Sequence, residues 1–103
     1  MDVHAGLMAA VAEVIVGLPE SRSQSDDGAV TWTRAGREFA VLGRDGIELR
    51  LDAAIAAAAT RTPDTAPSPR GGAWIRFNPR DLDGHAMDRL RAWLELAYRR
   101  AGE

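Results

Sequence analysis

Apolar and polar positions change period several times along this chain. Val3, Leu7, Val11, Ile15 and Leu18 recur at three- and four-residue spacing, and Val14 widens the stripe. That pattern predicts an amphipathic helix over Asp2–Gly17. Gly17 and Pro19 stop it. Ser21–Gly28, SRSQSDDG, has no apolar anchor and predicts an exposed, mobile loop.

From Ala29 to Leu51 the period falls to two. Three short strands are expected, joined by tight turns at Ala35-Gly36 and Arg44-Asp45-Gly46. In the first, Val30 and Trp32 share one face, and Thr31 and Thr33 the other. In the second, Phe39 and Val41 lie together, opposite Glu38, Ala40 and Leu42. In the third, Ile47, Leu49 and Leu51 alternate with Glu48 and Arg50, apolar toward a core and charged toward water. One face of such a sheet is covered and the other at least partly open.

Asp52 is placed to cap a short, alanine-rich helix running through Ala59. Thr60–Gly72, TRTPDTAPSPRGG, holds three prolines and two glycines and predicts a long irregular loop, either a lid or a linker. Ala73–Asn78 reads as a fourth strand, with Ile75 and Phe77 on one face, Trp74 and Arg76 on the other, and Pro79 as its stop. The last helix starts near Asp81 or Asp83. Met87, Leu90, Leu94 and Ala97 form its apolar line, Trp93 and Tyr98 flank it, Arg99 and Arg100 complement its dipole, and Gly102 ends it.

Length then bounds the architecture: 103 residues make one domain, 1–103, with one core. The 46% hydrophobic and 27% charged content suits a globular chain rather than a disordered one. No apolar run is long enough to cross a membrane, and the first residues lack a basic segment, so the expected location is the cytoplasm. Without cysteine there is no disulfide, thiol nucleophile or Cys-ligated zinc. All 13 basic residues are Arg, a composition expected of a GC-rich bacterial genome, so any basic patch presents planar, bidentate donors.

The candidate chemistry is sparse. His4 and His85 have no metal-motif partner, and Asp26, Asp27, Asp81 and Asp83 are explained by turns and caps. No cofactor, metal or catalytic set is expected. Trp74 and Arg76, with Arg50 nearby on the open face, form a candidate ligand or partner site, because an aromatic beside Arg is a common anchor. Packing alone, over the start of an edge strand or beneath the Pro-rich loop, is the favoured account of Trp74. Arg34, Arg37 and Arg44 sit at the meander turns, where they are candidates for phosphate contact. The net charge of −2 and pI near 5.7 disfavour nucleic acid.

Gly36-Arg37-Glu38-Phe39-Ala40-Val41-Leu42, the Asp45-Gly46 turn and Ile47-Glu48-Leu49-Arg50-Leu51-Asp52 together resemble the central signature of MmcQ/YjbR-like proteins. Leu18-Pro19-Glu20, the Trp74-Ile75-Arg76-Phe77 strand and the Leu90–Arg99 helix follow in the order of that family. The same stretches are similar to the small bacterial luciferase-like domain family. The first resemblance implies a helix-flanked antiparallel sheet, sometimes proposed to bind DNA, with no established catalytic residues. The chain departs from that pattern in its Pro-rich segment before Trp74.

The fold expected is therefore α+β: an antiparallel meander sheet of four or slightly more strands, with the N- and C-terminal helices on one face. Its core should hold Val11, Ile15, Leu18, Trp32, Phe39, Val41, Ile47, Leu49, Ile75, Phe77, Leu90 and Leu94. The open face should present Thr31, Thr33, Ala40, Leu42, Trp74 and Arg76, to be paired with a second copy or roofed by the Pro-rich loop. The function expected is a small non-enzymatic binding module working through that face or loop; the alternative is a DNA binder gripping phosphates through the turn arginines. Leu49→Asp should abolish cooperative folding by burying an unpaired charge, whereas Arg50→Asp should change stability by no more than about 0.5 kcal/mol. Thermal melts giving the opposite ranking would put the third strand out of register by one residue.

Overall fold

The turns organise the sheet. Three of them join four consecutive strands: β1 (Arg22–Asp26), β2 (Ala29–Arg34), β3 (Arg37–Gly43) and β4 (Gly46–Arg50). Asp27-Gly28 and Ala35-Gly36 each have φ positive at both central residues, 50° and 82°, then 54° and 77°. These are the values of type I′ turns, whose twist matches that of paired strands. The third turn leaves Arg44 and Asp45 in ordinary φ and puts the positive φ, 109°, on Gly46. Gly46 also lies against the neighbouring strand: a Cβ there would come within 2.4 Å of the Phe77 carbonyl oxygen.

The computed structural model describes residues 3–103. The predicted helix start at Asp2 lies outside them, and so does the side chain of His4. The element order is α1 (Val3–Val16), β1 to β4, α2 (Ala53–Ala59), β5 (Thr65–Pro67), β6 (Trp74–Phe77) and α3 (Gly84–Ala101). The strands form one antiparallel sheet in the order β1-β2-β3-β4-β6-β5. α3 lies across β2, β3 and β4, and α1 packs on α3. α2 lies against β5 and β6. The α+β expectation holds, with both terminal helices contributing to the one core. Among the described residues no helix is long and apolar enough to cross a membrane.

Local chemistry accounts for the helix ends. Asp52 caps α2, its Oδ1 accepting from the Ile55 N–H at 2.7 Å. Of the two candidate caps for α3, Asp83 fills the position and accepts from the Ala86 N–H at 2.8 Å. At the far end of α3 the Tyr98 hydroxyl donates to the Pro19 carbonyl at 2.6 Å, tying the helix to the chain leaving α1.

The core is fully closed around Leu7, Val11, Phe39, Leu42, Ile47, Leu49, Leu51, Ile75, Phe77, Leu90 and Leu94. Phe39 meets Tyr98 edge-on at 6.0 Å and Phe77 meets Trp93 edge-on at 5.3 Å, so each ring joins the sheet to α3. The two phenylalanine rings are fully buried, and each contributes roughly 1.5–3 kcal/mol.

Several expectations need correction. Ser21–Gly28 contains strand β1 and its turn; an edge strand needs only backbone pairing on one side, so the absence of apolar residues did not preclude it. Thr60–Gly72 contains β5 at the other edge. With these two edges the described sheet has six strands, which the expectation of four or slightly more allows. Ile15 and Leu18 are only half-buried, flanking the core.

The face assignment of β3 is also inverted over three residues. Trp32 pairs with Ala40 and Thr33 with Glu38, so Phe39 is an extra residue, a β-bulge. It puts Phe39 and Ala40 both on the helix side. Alternation then resumes, giving Leu42 to the core and Val41 to the opposite face, level with Thr31 and Glu48. Ala40 and Leu42 are therefore core residues, and Val41 is not part of the helix-side cluster.

Parity fixes the outer edge of β5. The Ser68 N–H donates to the Trp74 carbonyl at 3.4 Å, and the Asn78 N–H donates to the Asp64 carbonyl at 2.9 Å. Even-numbered residues thus bond toward β6, and Thr65 and Pro67 turn their backbone outward.

Two turn substitutions should act in opposite directions. Gly46→Ala forces a methyl against the Phe77 carbonyl in an unfavourable φ and should cost at least about 2 kcal/mol. Ala35→Asn replaces a strained alanine with a residue suited to type I′ and should stabilise by about 0.5 kcal/mol. Urea denaturation of the two variants checks both signs.

Candidate binding site on the open sheet face

The side of the sheet away from α1 and α3 carries an ordered row of charge. In register across β4 and β6, Arg50 stands beside Trp74 and Glu48 beside Arg76, with Ala66 of β5 next to Arg76. Left alone, Glu48 and Arg76 would form a cross-strand ion pair. They do not, because the loop after β5 folds back over this face.

Ser68 and Arg70 make that fold-back. The Ser68 hydroxyl donates to Glu48 Oε2, and Arg70 Nε lies 3.2 Å from Glu48 Oε1. Both oxygens of Glu48 are thereby engaged. Arg70 Nη1 also reaches Glu38 at 3.9 Å, so one guanidinium bridges carboxylates of β3 and β4. The loop is held by its own backbone as well: the Arg70 N–H donates to Ser68 Oγ at 3.1 Å and the Trp74 N–H to the Gly71 carbonyl at 3.1 Å. The Arg70 guanidinium sits 5.5 Å from the centre of the Trp74 ring, within cation–π range. On this face Val41 is only 3% exposed, although it lies outside the cluster that the described helices cover.

The consequence falls on Arg76. Among the described residues its guanidinium has no hydrogen-bond or ion-pair partner. It borders a cleft of about 470 Å³ together with Asp45, Asp64, Thr65, Ala66, Asn78 and Arg80. Within that cleft Asp64 is committed: its Oδ1 lies 3.3 Å from Arg80 Nε, and its Oδ2 accepts from the Arg80 N–H at 3.2 Å. Asp45, exposed in the β3–β4 turn, has no such partner among the described residues. The cleft thus presents one free cation and one free anion, with the Asn78 amide on its wall; the Thr65 hydroxyl is turned to the other side of the sheet, where it donates to the Pro63 carbonyl at 3.0 Å.

The structure brings Arg50, Trp74 and Arg76 to one face, as the alternation predicts. Trp74 is half-buried under Arg70 and serves as a support for the loop. The turn arginines are not brought together. Arg34 and Arg37 lie at one end of β3 and Arg44 at the other, roughly 23 Å away along an extended strand. Arg34 donates through Nη1 to the Tyr98 carbonyl at 3.1 Å and stacks 3.9 Å from the Tyr98 ring centre. Arg37 donates to the main-chain carbonyl of Glu103. Both serve the C-terminal end of α3, where exposed carbonyls attract cations. Arg50 also borders a cavity of about 120 Å³ with Arg37 and Arg100 at that end.

Sequence reading missed Ser68, Arg70, Asp64 and Asn78 as parts of this face, because each acts from a segment assigned to loop or strand end. Compared with known proteins, the chain matches no family model, no curated protein and no solved structure.

Removing the loop's anchor should expose it without unfolding the domain. Trp74→Glu puts a carboxylate beside Glu48 and takes away the ring beneath Arg70. Limited proteolysis should then cut in residues 68–73 at least about tenfold faster than in the parent, while the sheet persists by circular dichroism.

Proposed function

We propose that this chain is a small binding module, of the kind suggested by its resemblance to MmcQ/YjbR-like proteins, and that it takes up a small zwitterionic ligand of the amino-acid or short-peptide class in the cleft beside β6. A carboxylate of the ligand lies against the Arg76 fork, which suits planar, bidentate acceptors. Its ammonium lies toward Asp45. The Asn78 amide supplies neutral hydrogen bonds, and Ala66 gives a small apolar floor.

One observation carries this reading: both carboxylate oxygens of Glu48 are taken by Ser68 and Arg70, so Arg76 keeps its charge unspent beside the cleft. The loop is then part of the site's electrostatics, since it decides whether Arg76 is neutralised from within. The reading of the turn arginines as phosphate contacts draws no support from their separation, or from the engagement of Arg34 and Arg37 at the end of α3.

Diglycine is a suitable probe, being a zwitterion of about 7 Å span. Titration should shift the NMR signals of Arg76 Nε–H, Thr65 and Asn78, and Arg76→Ala should remove the saturable shifts. Arg70→Ala frees Glu48 to pair with Arg76 and should weaken diglycine binding by about fivefold without touching the cleft directly. N-acetylglycine, which lacks the ammonium, should bind more weakly than diglycine. Shifts that are absent, or that survive Arg76→Ala, overturn the proposal.

A further inference from the structure

Strand β1 is unusual among the elements of this fold. All five of its residues, Arg22, Ser23, Gln24, Ser25 and Asp26, are exposed on both sides of the sheet. It pairs only with β2, so its outer backbone edge has no partner among the described residues. It has no proline and no bulge to blunt that edge.

The turn geometry tells which backbone groups face outward. Asp27-Gly28 is a two-residue type I′ turn, so Asp26 and Ala29 form the closing hydrogen-bonded pair. Antiparallel alternation then directs the N–H and C=O groups of Asp26, Gln24 and Arg22 toward β2. Those of Ser23 and Ser25 point away from the sheet. Two donors and two acceptors are thus displayed along one edge.

Side-chain parity adds charge to this edge. Arg22, Gln24 and Asp26 share the open face, level with Thr33, Thr31 and Ala29. Among the described residues neither Arg22 nor Asp26 forms an ion pair within the chain. The sequence R-S-Q-S-D is therefore electrically self-complementary when read against itself in reverse.

We propose that β1 is a self-docking edge, through which a second copy of this chain pairs antiparallel about a twofold axis at Gln24. In that register Ser23 of each copy faces Ser25 of the other, and the outward backbone groups close four hydrogen bonds. Arg22 of each copy stands opposite Asp26 of the other on the open face, in the non-hydrogen-bonded positions where side chains approach most closely. Gln24 meets its own equivalent on the axis. Sliding the pairing by two residues in either direction keeps backbone bonds but loses both charge pairs, so the charges select this register. The result is one continuous twelve-stranded sheet, with an isologous interface.

The register dictates a charge-swap experiment followed by sedimentation equilibrium. The parent chain should show a reversible, concentration-dependent dimer. Arg22→Asp places two acidic residues opposite each other, and Asp26→Arg places two arginines opposite each other, so each variant should self-associate at least about tenfold more weakly. Mixed together, the two variants should form a heterodimer, because each then presents the opposite charge to the other. Ser25→Pro removes an outward N–H without touching the bonds to β2 and should give a monomer with near-parent melting behaviour. A parent chain that stays monomeric overturns the proposal. So does a dimer that ignores these substitutions but is dispersed by Trp74→Glu, which would put the contact on the sheet face. Single variants that fail to recover association on mixing overturn the register.

Discussion

One extra residue in β3 decides which side chains this protein buries. With Phe39 bulged out of register, two consecutive residues face the helices, and Tyr98 of α3 closes on Phe39 from above. The alternation that follows delivers Leu42 to the core, where it stands level with Ile47 and Phe77 across three strands. Without the bulge, Leu42 would face the other way and Val41 would meet α3 in its place. The larger ring and the longer aliphatic chain would no longer share one interior. The bulge also keeps Glu38 on the face that carries Glu48, so the two carboxylates that grip Arg70 owe their common side to the same inserted residue.

That second face is neither a solvated surface nor a second core. Its central part holds the buried Val41, and the flanking carboxylates of Glu38 and Glu48 are bridged by Arg70 from a short loop. Its flanks, at Arg76 toward β5 and at Arg22–Asp26 along β1, stay open. The division follows from where a single guanidinium is placed. Arg70 satisfies Glu48 from the loop side, so the residue directly across the strand from Glu48 is left unneutralised. Partly exposed ion pairs of this sort add little to folding stability. Their effect is to set which charges remain free, which matters more for recognition than for the melting temperature.

The helices, the meander turns and the outward or inward sense of β4 and β6 were legible because each has a strong local cause: a 3.6-residue stripe, a glycine in positive φ, an Asp at a cap, a clean alternation. β1 and β5 were not legible. Edge strands bury almost nothing, so RSQSD and TAP carry no hydrophobic period, and only their neighbours' unpaired backbone explains why they extend. The inversion at Val41 and Leu42 was hidden because a bulge adds no residue type that marks it; Phe-Ala-Val-Leu reads as a strand in either phase. Arg50, Trp74 and Arg76 were placed on a common face correctly. The partner that frees Arg76 sits some twenty residues from Glu48 in sequence, in a segment whose prolines spell loop without saying where it folds.

The two rims of the sheet are chemically unequal. At β5 the residues that turn outward are Thr65 and Pro67, and a proline has no N–H to offer. That rim cannot supply the repeated donors that a further strand requires. A sheet with one receptive border and one capped border has a natural limit on growth. A strand can add at β1, but the far side of whatever it belongs to ends in the same proline-bearing border if it is another copy. Edge-to-edge association therefore terminates as a closed pair, and the route by which exposed strands propagate into fibres is blocked by a single imide nitrogen.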